Sequence, residues 1–224
     1  QAFNAIQKGF EEYPENNALL IEMINYYLQT GDTDAALKYL SAAIEKEPEN
    51  ETFHFAQGTL YDKIQQNATQ QLKKLSEQIT TAKQENKSKD EIAKLEKALE
   101  KMETDKKPII EENVTKALKA YKKAIELRED FFDAYYNAGA IYYNQAARMF
   151  EKAARIPLGE QDKYKATMEK AKAKLKEAKP FMEKAHELNP DDMSTLQTLR
   201  TIYQRLQMKE KAKEIKEKIE AISQ

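Results

Sequence analysis

The tripeptide Pro-Glu-Asn occupies residues 14–16 and again residues 48–50, so it recurs after 34 residues. The apolar and small residues that follow the first copy are separated by intervals that recur further along the chain. In the first full repeat they are Leu20, Met23, Tyr27, Ala36, Leu40 and Ala43. A constant period of this length predicts a unit of two helices that stacks on copies of itself, because one such unit cannot bury its apolar face alone.

Three further units show the same spacing of large and small residues. At 51–130 these residues are His54, Gly58, Tyr61, Ala117, Tyr121 and Ala124; at 131–191 they are Tyr135, Ala138, Gly139, Tyr142, Ala178, Met182, Ala185 and Pro190; at 192–224 they are Leu196, Leu199, Tyr203, Ala212 and Ile219. Small residues let neighbouring helices cross at short distance, and large ones fill the space beside them. We expect nearly all of them to serve packing.

This pattern resembles the tetratricopeptide repeat (TPR). The resemblance implies an all-α fold, a right-handed TPR superhelix or α-solenoid with two projecting antiparallel helical hairpins. It implies a single array: a half unit at 1–16, a unit at 17–50, a unit at 51–130 with an insertion at about 64–110, a unit at 131–191 with an insertion at about 146–174, and a C-terminal capping unit at 192–224. Gly31 and Asp32 predict the turn within the first full unit.

Two units exceed the period, by 47 and 27 residues. Apolar residues keep helical spacing on both sides of each insertion, so we predict that each insertion lengthens its two helices into an antiparallel hairpin. In the longer hairpin, Ser88 and Glu91 are spaced as a capping box and Pro108 predicts a kink. Residues 155–159 predict the turn of the shorter one, whose packing stripes are Ala147, Phe150 and Ala154, and Tyr164, Met168, Ala171 and Leu175. The hairpins either brace each other or dock a partner or a second copy.

The composition favours helices. The balanced charge gives no overall electrostatic attraction to nucleic acid or to an anionic membrane. Val114 is the only valine, whereas Ala, Leu, Lys, Glu and Gln abound. The 37 basic and 38 acidic side chains nearly cancel. The lysine-rich run at 163–179 lacks interleaved stacking aromatics, so we predict a solvated helix face and no nucleic-acid partner. No apolar run approaches the roughly 20 residues that cross a bilayer, so no transmembrane segment is predicted.

Residues suited to catalysis are sparse. The chain has no cysteine and two histidines, His54 and His186, far apart in the sequence. We expect His54 to pack in the core and His186 to be solvated. We identify no catalytic, metal-binding or cofactor-binding residue, and the chain is therefore predicted not to be an enzyme.

The TPR resemblance implies that ligands lie on the concave side, along the first helix of each unit. Residues placed there include Asn25, Phe55, Thr59, Asp133, Tyr136, Asn137, Tyr143, Asn144, Gln197 and Arg205. Asn137 occupies the position where many peptide-binding TPRs carry an asparagine that bonds the ligand backbone. Only Lys63 and Arg205 could grip a carboxylate, in non-adjacent units, so the type that holds a C-terminal carboxylate is rejected. The neutral lining suits an extended peptide or a partner helix.

Two functions remain open from the sequence. The first is a non-enzymatic interaction scaffold that binds a peptide or partner helix of unknown identity in the groove. The second is a structural or assembly protein that oligomerises or docks through its long hairpin. The cysteine-free, lysine-rich repeats with elongated helices are similar to TPR proteins of bacterial cell envelopes, which implies a bacterial periplasm or envelope rather than a cytoplasm. The chain starts at Gln1, and an apolar stripe (Phe3, Ile6 and Phe10) has nothing upstream to cover it, so we expect a preceding helix or a dimer contact there.

Overall fold

The computed structural model describes residues 5–6, 8–9, 12–13 and 16–222. Residues 16–222 form eight α-helices, and none of the described residues lies in a strand, which confirms the predicted all-α fold class. The helices are α1 (Asn17–Thr30), α2 (Thr33–Lys46), α3 (Glu51–Gln84), α4 (Lys89–Leu127), α5 (Phe132–Ala154), α6 (Gln161–Leu188), α7 (Met193–Arg205) and α8 (Lys209–Ile222). None of them is both long enough and apolar enough to cross a membrane. Phe3, Phe10, Pro14 and Glu15 of the predicted half unit lie outside the described residues.

The chain divides into two compact units, unit 1 at residues 1–120 and unit 2 at residues 121–224. In unit 1, Asn16 caps α1 by accepting hydrogen bonds from the backbone N–H groups of Ala18 and Leu19, at 3.0 and 3.3 Å. α1 ends at Gly31, whose φ of 82° suits glycine. The Asp32 carboxylate then caps α2. The predicted turn at Gly31 and Asp32 is confirmed.

The core of unit 1 consists of the residues that the 34-residue pattern selected, together with their neighbours. Its buried members are Leu20, Ile24, Ala36, Leu40, Ala43, Phe53 and Leu60. The rings of Tyr27 and Tyr39 stack beside it with centroids 5.6 Å apart. His54 is also buried, and its Nε2 lies 2.7 Å from the carbonyl oxygen of Pro48. The expectation that His54 packs in the core is confirmed.

The longer insertion lengthens the two helices of its unit, so that α3 has 34 residues and α4 has 39. Between them Asn86 adopts a left-handed conformation with φ of 53°, and the N–H of Lys87 bonds back to the carbonyl of Ala82 at 2.9 Å. The Ser88 hydroxyl accepts a hydrogen bond from the N–H of Glu91 at 3.2 Å, which is one of the two bonds of the predicted capping box. Lys83 and Glu96 then pair across the two helices at 2.7 Å. Pro108 lies inside α4 without ending it.

Unit 2 contains two helix pairs, α5 with α6 and α7 with α8. α5 and α6 are joined by residues 155–160, which confirms the predicted turn. They pack closely at Gly139, where an added Cβ would lie 3.0 Å from Met182 and 3.2 Å from Phe181. The buried residues of this unit include Ala134, Ala138, Ile141, Leu175, Ala178, Met182, Ala185, Leu196, Leu199 and Ile202.

Candidate binding face on α5 and α7 of unit 2

Most of the side chains predicted to line a groove lie in unit 2, on the outward faces of α5 and α7. Spacings of three and four residues put the α5 group on one side of that helix, opposite its buried alanines. The α7 residues of the face likewise lie opposite Leu196 and Leu199, which are fully buried. We call this surface the α5/α7 face; its residues are Asp133, Tyr136, Asn137, Tyr143 and Asn144 on α5, and Gln197, Thr201 and Arg205 on α7.

The α5 part of the face combines aromatic and amide side chains. Tyr136, Asn137 and Tyr143 are half-buried, whereas Asp133 and Asn144 are exposed. The Tyr136 ring lies against that of Phe132, with centroids 6.1 Å apart and 21° between the ring planes. Packing of this kind limits the freedom of the Tyr136 ring, so that a ligand would pay little entropy for ordering it.

The α7 part of the face is polar and adjoins α5 directly. α7 packs against both α5 and α6. The Thr201 hydroxyl donates to the carbonyl of Gln197 at 3.0 Å, so it is already engaged within the helix. Gln197 and Arg205 are exposed. These two side chains are therefore the exposed hydrogen-bonding groups that α7 contributes to the α5/α7 face.

A cavity of about 450 Å³ opens where the α5/α7 face meets α6. It brings together Tyr143 and Arg205, two residues predicted from the sequence. We call it the hairpin cavity; its other lining residues are Ala147, Phe150, Glu151, Ala154, Tyr164, Met168, Leu175 and Thr201. The guanidinium carbon of Arg205 lies 4.8 Å from the centroid of the Phe150 ring, in cation–π contact.

The sequence pattern identified Phe150, Tyr164 and Met168 only as packing residues of the shorter hairpin. In the structure Leu175 is buried, but Phe150 and Met168 are half-buried and Tyr164 is 41% exposed. The cause is a difference in length, because α7 ends at Arg205 while α5 and α6 continue. The sequence did contain a signal for the cavity. The unit at 131–191 has an insertion and the next unit, at 192–224, has none, so the helices of the first must extend past those of the second.

The other three predicted groove residues lie in unit 1. Asn25 is on α1, and its side chain lies outside the described part of the structure. Phe55 and Thr59 are half-buried on α3, where the Thr59 hydroxyl donates to the Phe55 carbonyl at 3.1 Å. A ligand-binding role for these three residues stays a prediction.

A charged network around Glu183 holds α7 and α8 against α6. The Glu183 carboxylate accepts hydrogen bonds from the Tyr203 hydroxyl and the Lys211 ammonium at 2.8 Å each, and from Lys179 at 3.0 Å. Burial by itself raises the pKa of Glu183, but the bonds from Lys211, Lys179 and Tyr203 outweigh it and lower the pKa to about 2. Burial and the neighbouring Glu183 carboxylate raise the pKa of Tyr203 above its ordinary value.

We expect Glu183→Gln to lower the unfolding free energy by about 1–2 kcal/mol at neutral pH, because solvent screening weakens charge-assisted bonds at a partly exposed site. A carboxylate with a lowered folded-state pKa stabilises the fold above its ordinary pKa of 4.5, and that contribution is lost as pH falls toward 2. Urea unfolding should therefore show that the difference in unfolding free energy between the wild type and Glu183→Gln disappears as the pH falls from 4.5 toward 2.

Glu169→Gln is the matched control for this prediction, because Glu169 lies on the same helix and pairs with Lys172 at the exposed surface. We expect it to leave stability unchanged. If the difference in unfolding free energy between the wild type and Glu183→Gln stays constant with pH, the Glu183 charge does not hold α7 and α8 against α6.

The expectation that His186 is solvated was wrong. Its side chain is half-buried on α6, and Nδ1 is shielded without a hydrogen-bond partner among the described residues. Burial lowers the pKa of His186, so the ring is neutral at physiological pH. In the part of the chain that the structure describes, no three His, Cys, Asp or Glu side chains are grouped as a metal site would need.

Comparison with known families identifies the repeats. Residues 17–60 match a family model described as tetratricopeptide repeat, and residues 110–145 match another described as TPR repeat. No curated protein sequence is significantly similar to the chain.

Several solved structures are similar to the chain. The crystal structure of MamA is similar with a TM-score of 0.55 and 16% sequence identity, covering 99% of this chain and 86% of MamA. A TPR repeats protein (BF2334) from Bacteroides fragilis NCTC 9343 shares 20% identity over 90% of this chain and 88% of its own, with a TM-score of 0.38. YrrB, described as a TPR protein with an unusual peptide-binding site, shares 18% identity over 97% and 92%, with a TM-score of 0.36.

The likeness to MamA extends over nearly the whole chain and supports an all-α solenoid fold. The two family matches fall on segments that the 34-residue pattern had marked as repeats. Stacked repeats of this kind present extended surfaces on which other proteins bind. Residues 17–60 and 110–145 are therefore identified as tetratricopeptide repeats, within a chain whose fold is an all-α solenoid.

Proposed function

We propose that this chain is a protein-interaction scaffold that holds a peptide or a partner helix on the α5/α7 face. The TPR fold is generally a non-catalytic interaction module, and the scaffold role follows from the family. The assignment of binding to the α5/α7 face is more specific than the scaffold role and needs its own support. It rests chiefly on Tyr136 and Asn137, an aromatic ring and an amide side by side and both accessible on α5.

The chemistry of the face suits a peptide backbone. An asparagine side chain can donate to a backbone carbonyl and accept from a backbone N–H at the same time. Tyr136 and Tyr143 offer apolar area with few rotatable bonds, so they bury ligand surface at low entropic cost. Asp133 and Arg205 lie on different helices of the face and can fix the direction in which a peptide lies.

Replacing Tyr136 and Asn137 together by alanine should weaken peptide binding by about tenfold or more, because accessible aromatic and amide anchors dominate such contacts. Random peptides displayed on phage are panned against the wild-type chain, and the dissociation constants of the enriched peptides are measured by fluorescence anisotropy. Circular dichroism checks that the variant remains folded.

The control for this experiment is the double variant Lys216→Ala and Glu220→Ala, which removes an exposed ion pair from α8. It should bind the enriched peptides as the wild type does. If both double variants bind them equally well, the α5/α7 face is not the binding site.

A second candidate function is assembly through the long α3/α4 hairpin. The apolar stripe of α4 is only half-buried at Ile92, Leu95, Leu99 and Met102, and Ile109 is 39% exposed. A second copy or a partner helix could cover this stripe, as in a bundle of more than two helices.

Deleting residues 68–104 and rejoining the arms with a short turn should reduce the mass of the particle in solution if the hairpin drives assembly. Light scattering coupled to size exclusion gives the mass of both proteins. A monomer before and after the deletion would rule out self-assembly through the hairpin.

A further inference from the structure

We propose that the hairpin cavity binds an acidic peptide segment of a partner protein. One aromatic or aliphatic side chain of the peptide enters the cavity, and its carboxylates contact the basic surface of the α5/α6 hairpin. The inference rests on the proposed function, because it names the kind of peptide that would continue from the α5/α7 face into the cavity.

The position of the cavity follows from where α7 stops. Tyr203 and Lys211 both bond to Glu183, which places the α7–α8 turn beside the C-terminal half of α6. α7 ends soon after, at Arg205, whereas α6 extends from Glu183 out to Gln161. At about 1.5 Å per residue that part of α6 is roughly 33 Å long. The outer turns of α5 and α6 therefore project past α7, and the cavity lies at the resulting step.

Apolar groups line the floor of the step without being closed off. Leu175 is 1% exposed, but Phe150 and Met168 are half-buried and Tyr164 is 41% exposed. At the tip of the same hairpin Leu158 is 90% exposed. A volume of about 450 Å³ is ample for one large side chain. Filling it would remove apolar surface from water, which is the main driving force of such contacts.

The charge of the α5/α6 hairpin, on which most of the lining residues lie, favours an acidic partner. Residues 145–180 carry ten Lys or Arg against five Asp or Glu, although the whole chain has a net charge of −1. Some of these lysines pair with glutamates on the same helix, as Lys172 does with Glu169 and Lys174 with Glu177, but the basic excess remains. Among the lining residues Arg205, at the rim, is the basic one and Glu151 is the acidic one. Such a local excess attracts and orients carboxylates.

A peptide fits this arrangement better than a single-stranded nucleic acid. Nucleic-acid channels stack successive bases on a series of open aromatic faces. Here one face of Phe150 is covered by the Arg205 guanidinium. The cavity is also a single hollow beside a helix end, which suits one anchoring side chain and not a row of bases.

The test uses fluorescence anisotropy with the full chain and three short labelled peptides. The first consists of Asp and Glu around a central Phe-Leu pair, the second replaces that pair by Ser-Ser, and the third replaces the acids by Lys. We expect the first to bind at least about tenfold more tightly than the other two. Its affinity should fall as salt screens the charges.

Two variants locate the binding. Met168→Glu places a charge in the cavity, and Arg205→Glu reverses the exposed cation at its rim. Either should weaken binding of the first peptide by about tenfold or more. Lys213→Glu makes the same charge reversal as Arg205→Glu on the exposed surface of α8 and should leave binding unchanged. Arg205 is exposed, so Arg205→Glu keeps the test valid if Met168→Glu fails to fold.

Equal binding of the Phe-Leu and Ser-Ser peptides would overturn the proposal, as would unchanged binding in both variants. If a labelled oligothymidylate binds more tightly than the Phe-Leu peptide and loses affinity in the same two variants, the ligand of the cavity is a nucleic acid and not a peptide. The outcome is separable from the proposed function. If only the cavity proposal is wrong, peptides selected by panning still lose affinity in the Tyr136 and Asn137 double variant; if the α5/α7 face itself is wrong, they do not.

Discussion

Replacing Gly139 by leucine should lower the free energy of unfolding by about 3 kcal/mol or more, because overpacking a tight helix crossing forces the backbones apart. An added Cβ would already lie 3.0 Å from Met182 Cγ and Cε and 3.2 Å from Phe181 Cβ. The Met182 side chain can change rotamer, but the Phe181 Cβ is fixed to the α6 backbone. Urea unfolding followed by circular dichroism measures the loss.

Gly159→Leu is the matched control for the Gly139 prediction. It makes the same chemical change in the turn between α5 and α6, where an added Cβ meets nothing within 4 Å. We expect it to change stability by less than about 0.5 kcal/mol. Equal losses in the two variants would mean that α5 and α6 do not cross closely at Gly139.

Leu40→Ala should cost about 2–5 kcal/mol, since it removes a fully buried side chain from the core of unit 1 and leaves a cavity. Leu40 lies on α2 among Leu20, Ala36 and Phe53. The unfolding free energy from urea titration, or the shift in melting temperature, measures the effect.

Lys38→Ala, at an exposed position of the same helix, is the control for Leu40→Ala and should be nearly neutral. A loss below about 1 kcal/mol for Leu40→Ala would indicate that α1, α2 and α3 do not share a packed core.

Local chemistry made much of the fold predictable. Gly31 and Asp32 end one helix and start the next through interactions with their own neighbours. Ser88 restarts α4 in the same way. Gly139 was identifiable as a close crossing because the repeat places a small residue there. These features depend on a few adjacent residues, which is why sequence spacing alone could locate them.

The surroundings of His186 and the hairpin cavity were not predictable from local spacing. His186 is half-buried on α6, although its neighbours in sequence are charged. The cavity exists because α5 and α6 are long while α7 stops at Arg205, which is a relation between helices that are not adjacent in sequence. Phe150 and Met168 therefore looked like ordinary packing residues.

The binding role of the α5/α7 face is tested most directly by photo-cross-linking. An enriched peptide from the panning experiment is synthesised with benzoylphenylalanine at its central position and irradiated with the full chain, and mass spectrometry maps the attached residues. Cross-links are expected on α5 and α7, near Tyr136, Asn137 and Arg205. Cross-links confined to α3, α4 or α8 would contradict a binding role for the α5/α7 face.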